Sequence, residues 1–323
     1  MVRLSILAVT AFPAFAVIAA GTLPSRFEHN RVFVVAEAPD GEAVRFYTDT
    51  GGGFNAIRQS VADRHALADQ GVAAADSSEF PLVVFPEFAI ESGIPRPESE
   101  LWLGGNLAVV ANARLSDDGF LGSRWFAGKI WEFDYPDQTL SLINELNVSP
   151  GFEAVPLGFR TDESGARDLN FPRITIEVDG EPLEMLLDTG ATALLSESAA
   201  AAYGLPAETR VAASYIVRSR FEQWRDRHSD WTVIEAGEIV TGQAFPMIEV
   251  PEVKVGGLGV GPVWFSVRPD NTFKDYMSRM MDKQIVGAVG GSMLQYLRMI
   301  IDYPEAKAYF QRPGHDEPVE NDT

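Results

Sequence analysis

Cysteine is absent from all 323 residues, so no disulfide braces this chain and no thiolate serves it as nucleophile or metal ligand. Histidine is scarce. The four, His29, His65, His228 and His315, stand at no metal-ligand spacing, which removes the common zinc and iron motifs, and neither a metal nor a cofactor is expected. Positive charge is short as well: 26 Lys and Arg face 46 Asp and Glu, for a net charge of −20. An acidic surface is repelled by nucleic acid and by anionic membranes, so neither is an expected partner. No Gly-x-Ser-x-Gly elbow occurs, which leaves covalent hydrolysis without a nucleophile. The run Gly256-Gly257-Leu258-Gly259-Val260-Gly261 opens no helix and reads as a glycine-rich hairpin, not a dinucleotide loop.

What is present is a chain of ordinary globular composition, 46% hydrophobic and 22% charged, long enough for two buried cores. Residues 1–20 have the layout of a secretory signal peptide, with Arg3, an apolar run and small residues around Ala14, Ala16, Ala19 and Ala20. Pro13 interrupts that run, which disfavours an uncleaved membrane anchor. Export without cysteine suits a periplasmic or secreted protein. About ten residues separate the expected cleavage point from the first strand pattern, so no long pro-segment is expected.

Two stretches organise the rest. Met185-Leu186-Leu187-Asp188-Thr189-Gly190 is an apolar strand running into Asp-Thr-Gly, and Phe46-Tyr47-Thr48-Asp49-Thr50-Gly51 repeats it 139 residues earlier. In each copy an Asp-Gly-Glu turn begins nine residues before the Asp, at Asp40 and at Asp179. The duplication continues in the same order. Pro86-Glu87 recurs as Pro251-Glu252, Gly119-Phe120-Leu121-Gly122 as Gly287-Ala288-Val289-Gly290, and Asp134-Tyr135-Pro136 as Asp302-Tyr303-Pro304. One Asp-Thr-Gly alone is most often a turn capping local N–H groups. Two in matching surroundings point to a pair of related lobes.

These residues resemble the aspartic proteases, two-lobed as in pepsin with local motifs closer to the retroviral-type enzymes. The resemblance spans roughly residues 31–311. It implies a mostly β, two-lobed acid-protease fold with pseudo-two-fold symmetry and a cleft between the lobes. Catalysis would fall to Asp49 and Asp188, supported by Thr50, Gly51, Thr189 and Gly190, with Leu121, Gly122, Val289 and Gly290 packed behind. Gly52 and Gly53 depart from the family, where Ser, Thr or Ala commonly follows the motif. Two close carboxyls sharing one proton supply both a general base and a general acid. The expected activity is endopeptidase cleavage of extended polypeptide. The alternatives are a peptide-binding protein that keeps the fold without turnover, and a scaffold whose lobes serve assembly.

The expected organisation is a signal peptide at 1–20, one lobe at 21–143, a connection at 144–168, a second lobe at 169–312 and a disordered acidic tail at 313–323, the fused lobes making a monomer. Strands are expected over 32–36 and 43–48. Helical segments at 57–68 and 197–203 are taken as counterparts, stopped by Gly71 and Gly204. On that matching, 18 residues separate Leu67 from Phe85 but 45 separate Leu205 from Val250, so the second lobe carries about 27 extra residues. That stretch holds Tyr215, Phe221, Trp224 and Trp231, an amphipathic set suited to a lid over the substrate. The plainer reading is that these aromatics pack the insertion onto its own lobe.

Overall fold

The computed structural model describes residues 21–75, 78–98 and 103–313, so the expected signal peptide, His315 and nearly all of the acidic tail lie outside the described residues. With 43% strand and 17% helix, the chain is mostly β. Among the described residues no helix is long and apolar enough to cross a membrane.

The strand that ends at each Asp is built as a hairpin. Arg31–Glu37 pairs antiparallel with Ala43–Thr48, and Arg173–Val178 with Glu181–Leu187. Val32, Phe33, Val34, Phe46, Leu186 and Leu187 are all buried, so these strands have both faces covered. The second turn places Asp179 and Gly180 at φ 53° and 74°, the left-handed pair that a two-residue hairpin wants.

Each hairpin sits inside a larger sheet with the same continuation. An eight-stranded sheet runs Ser25–Glu28, Arg31–Glu37, Ala43–Thr48, Gly119–Leu121, Ala56–Arg58, Leu107–Val110, Ser78–Val83, Asp69–Ala75. From Arg173–Val178 onward the nine-stranded sheet runs Glu181–Leu187, Gly287–Val289, Ser214–Val217, Val263–Arg268, Gln243–Val250, Val233–Val240. In both, the Asp-bearing strand lies parallel to the repeated Gly-containing strand, with Thr48 opposite Leu121 and Leu187 opposite Val289. The expected glycine-rich hairpin is found, Val253–Val255 turning into Leu258–Val260.

A six-stranded sheet draws on both halves. Ile130–Asp134 pairs antiparallel with Arg298–Asp302, its own repeat, with Glu132 opposite Ile300. Residues 144–168 add the strand Glu153–Pro156 to its far edge. Against these strands pack Trp125, Phe126, Trp131, Phe133 and Tyr303, all fully buried, with Trp125 and Trp131 ring centroids 4.3 Å apart. Each such side chain contributes about 1.5–3 kcal/mol by burial, and in a chain without disulfides this packing carries the stability.

The helices correct the expected matching. Gln59–Arg64 follows Ala56–Arg58, and the helix that follows the corresponding strand Ser214–Val217 is Arg218–Arg227, not Glu197–Tyr203. Backbone contacts fix this alignment: a Cβ on Gly122 would meet the Phe54 carbonyl oxygen at 2.6 Å, and one on Gly290 the Ala213 oxygen at 2.3 Å. Between Gly52 and Phe54 lies one residue, and between Ala191 and Ala213 lie 21. The extra length therefore follows the second motif immediately, as the strand Thr192–Leu194, the helix Glu197–Tyr203 and the strand Arg210–Ala212, the two strands pairing with each other. Sequence distance from the motif had matched two helices that occupy different places in the sheet order.

Gly204, at φ 65°, does stop its helix, but Gly71 does not. The Gln59–Arg64 helix ends at His65, and Gly71 lies at φ 85° inside the strand Asp69–Ala75, where the ladder shifts register. That strand and Ser78–Val83 form a hairpin in the first half, and Val233–Val240 and Gln243–Val250 form its counterpart.

Candidate active site

Each Asp is delivered by a strand whose next residues leave the ladder. The Asp49 amide donates to the Leu121 carbonyl at 2.9 Å, and the Asp188 amide to the Val289 carbonyl at 2.8 Å. Leu121 and Val289 are fully buried, so these carbonyls are fixed by packing. Within each motif the Gly amide turns back onto its own carboxyl, Gly51 N to Asp49 Oδ1 at 2.8 Å and Gly190 N to Asp188 Oδ1 at 3.0 Å.

The two motifs meet through their threonines. Thr50 N donates to Thr189 Oγ1 at 3.1 Å, and Thr189 N to Thr50 Oγ1 at 3.0 Å; the Thr50 hydroxyl in turn donates to the Leu187 carbonyl at 2.7 Å. Both threonines are fully buried. The glycines then lie under the opposite carboxyls. A Cβ on Gly51 would stand 2.6 Å from Asp188 Cγ and one on Gly190 2.0 Å from Asp49 Cγ, so only glycine allows the approach.

Asp49 and Asp188 are thereby brought together, each carboxyl lying over the glycine of the other motif. Burial raises both carboxyls above the ordinary aspartate range. Asp49 rises furthest, because after burial the Asp188 charge and the hydrogen bond to it oppose ionisation. Asp188 is held lower by the hydrogen bond from Asp49 and by the amides of Gly190, Ala191 and Gly51. Two raised carboxyls in contact titrate as a pair, and the state with one proton shared between them is favoured over the doubly ionised one.

Several supports were not read from the sequence. The side chain of Asn55 accepts from Gly122 N at 2.9 Å and that of Ser214 from Gly290 N at 3.1 Å, so a polar residue at the start of each following strand holds the glycine behind the Asp. Gly52, the departure from the family pattern, leaves room for a ring: a Cβ there would meet Phe120 at 2.4 Å.

The four expected lid residues are placed elsewhere. Phe221 and Trp224, three positions apart on the Arg218–Arg227 helix, are each 1% exposed and pack into the core, so they are not free to cover a cleft. Trp231 stacks flat on His228 at 4.1 Å, edge-on to Trp224. Tyr215 lies in the sheet strand Ser214–Val217, where its hydroxyl donates to the Thr192 carbonyl at 2.6 Å and accepts from the Thr192 amide at 2.8 Å. Arg268 sits 4.0 Å over its ring, bound through two nitrogens to the buried Glu238 at 2.5 and 2.8 Å. Tyr215 therefore fastens the extra unit to the second motif. The first-half hairpin reaches the site instead, Phe80 packing on Phe54 at 6.0 Å.

A cavity of about 370 Å³ opens beside the pair, lined by Asp49 and Gly190 together with Tyr47, Phe120, Thr192 and Arg210. Among the described residues no group of three or more His, Cys, Asp and Glu is placed to hold a metal ion. Compared with known protein families and with curated proteins, the chain matches none.

Proposed function

We propose that this chain is an aspartic endopeptidase of two-lobed acid-protease fold, hydrolysing peptide bonds in extended polypeptide. The observation that carries the reading is the juxtaposition of Asp49 and Asp188, each over the other motif's glycine, held by the reciprocal bonds of Thr50 and Thr189. The common strand order of the two large sheets, and the pairing of Ile130–Asp134 with its own repeat, support a pseudo-two-fold relation between lobes at 21–143 and 169–312 joined by 144–168.

The chemistry follows from one shared proton. Asp188, ionised, takes a proton from a water lying between the carboxyls while Asp49 donates its proton to the substrate carbonyl oxygen, giving a tetrahedral diol. Collapse of that diol returns a proton from Asp49's oxygen partner to Asp49 and passes the Asp188 proton to the leaving amine, which restores the pair. The water and the carbonyl are positioned by a fixed carboxyl separation, the role of the threonine bonds. An extended substrate fits a cleft flanked by sheet edges and a hairpin, where main-chain bonds give affinity and side-chain pockets selectivity. With a signal peptide at 1–20 and no cysteine, the protein works as an exported monomer, periplasmic or secreted.

The test is digestion of an unfolded protein between about pH 3 and 7, with and without a pepstatin-like inhibitor. Cleavage abolished by the inhibitor is expected. Binding of peptide with no cleavage at any pH would identify a non-catalytic peptide-binding protein.

A further inference from the structure

We propose that the cavity beside the carboxyl pair is a subsite for a carboxylate of the substrate, with the Arg210 guanidinium and the Tyr47 hydroxyl as its donors. The inference rests on the peptide-hydrolysis reading above and names a substrate class for it.

The Asp117 carboxylate in the lining is already engaged. Asp117 Oδ2 takes Arg31 Nη2 at 3.0 Å and the Ser116 hydroxyl at 2.7 Å, which also neutralises Arg31. The donors are not. Tyr47 is 7% exposed, lines the cavity, and its hydroxyl has no hydrogen-bond partner. A buried O–H left unpaired is costly, and a ligand acceptor removes that cost. Burial also pushes the phenol well above its ordinary value, so it remains a donor. Arg210, exposed at the start of the strand Arg210–Ala212, enters no side-chain hydrogen bond or ion pair among the described residues. A free guanidinium fork and a free hydroxyl on residues that line one cavity match a group that only accepts, and a carboxylate meets the fork with two oxygens.

The location strengthens the reading. Arg210 belongs to the unit that follows the second motif and has no counterpart after the first, so the cation stands on one side of the cleft only. The Tyr215 hydroxyl, holding both the amide and the carbonyl of Thr192, sets that unit against the motif. An Asp or Glu side chain near the scissile bond presents the required group, and so does a substrate's terminal carboxylate.

The experiment uses peptides of one sequence with Glu, Gln, Leu or Lys at successive positions around the cleaved bond, each with a free and an amidated C-terminus. Cleavage (kcat and KM) and binding by fluorescence anisotropy are measured for the wild-type chain, Arg210→Ala, Arg210→Glu and Tyr47→Phe. At one position Glu should exceed Gln by about five- to tenfold, mostly in KM. That ratio should fall toward one in Arg210→Ala, turn in favour of Lys in Arg210→Glu, and shrink in Tyr47→Phe. It should also fade as the peptide carboxyl protonates near about pH 4. If only amidation removes the preference, the carboxylate is the chain terminus. Equal cleavage of Glu, Gln and Leu peptides with both termini overturns the subsite and leaves hydrolysis standing. If nothing is cleaved, the hydrolysis reading falls and anisotropy decides: an Arg210-dependent preference for a carboxylate sustains the subsite, and equal binding overturns it.

Discussion

Thr50 and Thr189 each accept the other's backbone amide through a side-chain hydroxyl, at 3.0 and 3.1 Å, across a sequence separation of 139 residues. The relation is not fully symmetric, since the Thr50 hydroxyl also donates to the Leu187 carbonyl at 2.7 Å. Thr50→Ala therefore strands two buried backbone groups, the Thr189 amide and the Leu187 carbonyl. Each costs about 1–3 kcal/mol when left unmade. Urea unfolding should show a loss of that order, with hydrolysis falling in parallel because the carboxyl separation is no longer fixed. Thr50→Ser keeps the hydroxyl and should restore most of both.

The raised carboxyls predict a stability that depends on pH with a definite sign. A group whose folded pKa lies above its unfolded value binds more protons in the folded state. Its contribution is full below the unfolded value, about 3.9 for Asp, and is lost as pH rises through the folded pKa. The wild-type chain should therefore gain stability relative to Asp49→Asn as pH falls, read from paired urea titrations across the acid range. A wild-type advantage that grows with pH would contradict the shared proton. Activity should be bell-shaped on the acid side of neutrality, its basic limb set by loss of the proton that the pair shares.

Trp224 tests where the aromatics of the Arg218–Arg227 helix belong. It is 1% exposed, edge-on to Phe265 at 5.5 Å and to Trp231 at 5.9 Å. Trp224→Ala should cost about 3–5 kcal/mol, the usual range for emptying a buried aromatic site. Calorimetry would register this as a large drop in Tm. A variant with unchanged Tm and impaired peptide cleavage would return these side chains to the role of a lid.

Much of the central site was legible because it is duplicated. Asp49 and Asp188 stand out through apolar strands, Asp-Gly turns and downstream glycines that recur in the same order, and 32–36 is an unbroken apolar run, Val-Phe-Val-Val-Ala. The topology beyond the motifs was not. Residues 57–68 and 197–203 are both helix-like at similar distances from their motifs, yet only the sheet order reveals that Gln59–Arg64 corresponds to Arg218–Arg227. Tyr215 reads in the sequence only as one of four aromatics suited to a lid or to packing, because its value lies in two hydrogen bonds to Thr192 that no local pattern encodes. Arg31 and Arg210 likewise share a cavity only after folding brings strand ends 179 residues apart to one cleft.

The central claim is that Asp49 and Asp188 act as one proton-sharing pair. It is tested most directly by the hydrolysis rate of an unfolded polypeptide at acid pH for the wild-type chain, Asp49→Asn and Asp188→Asn, each first shown by circular dichroism to retain its β structure. Both folded variants should fall to the background rate, because either change removes half of the pair. Turnover near the wild-type rate in either folded variant would contradict the account.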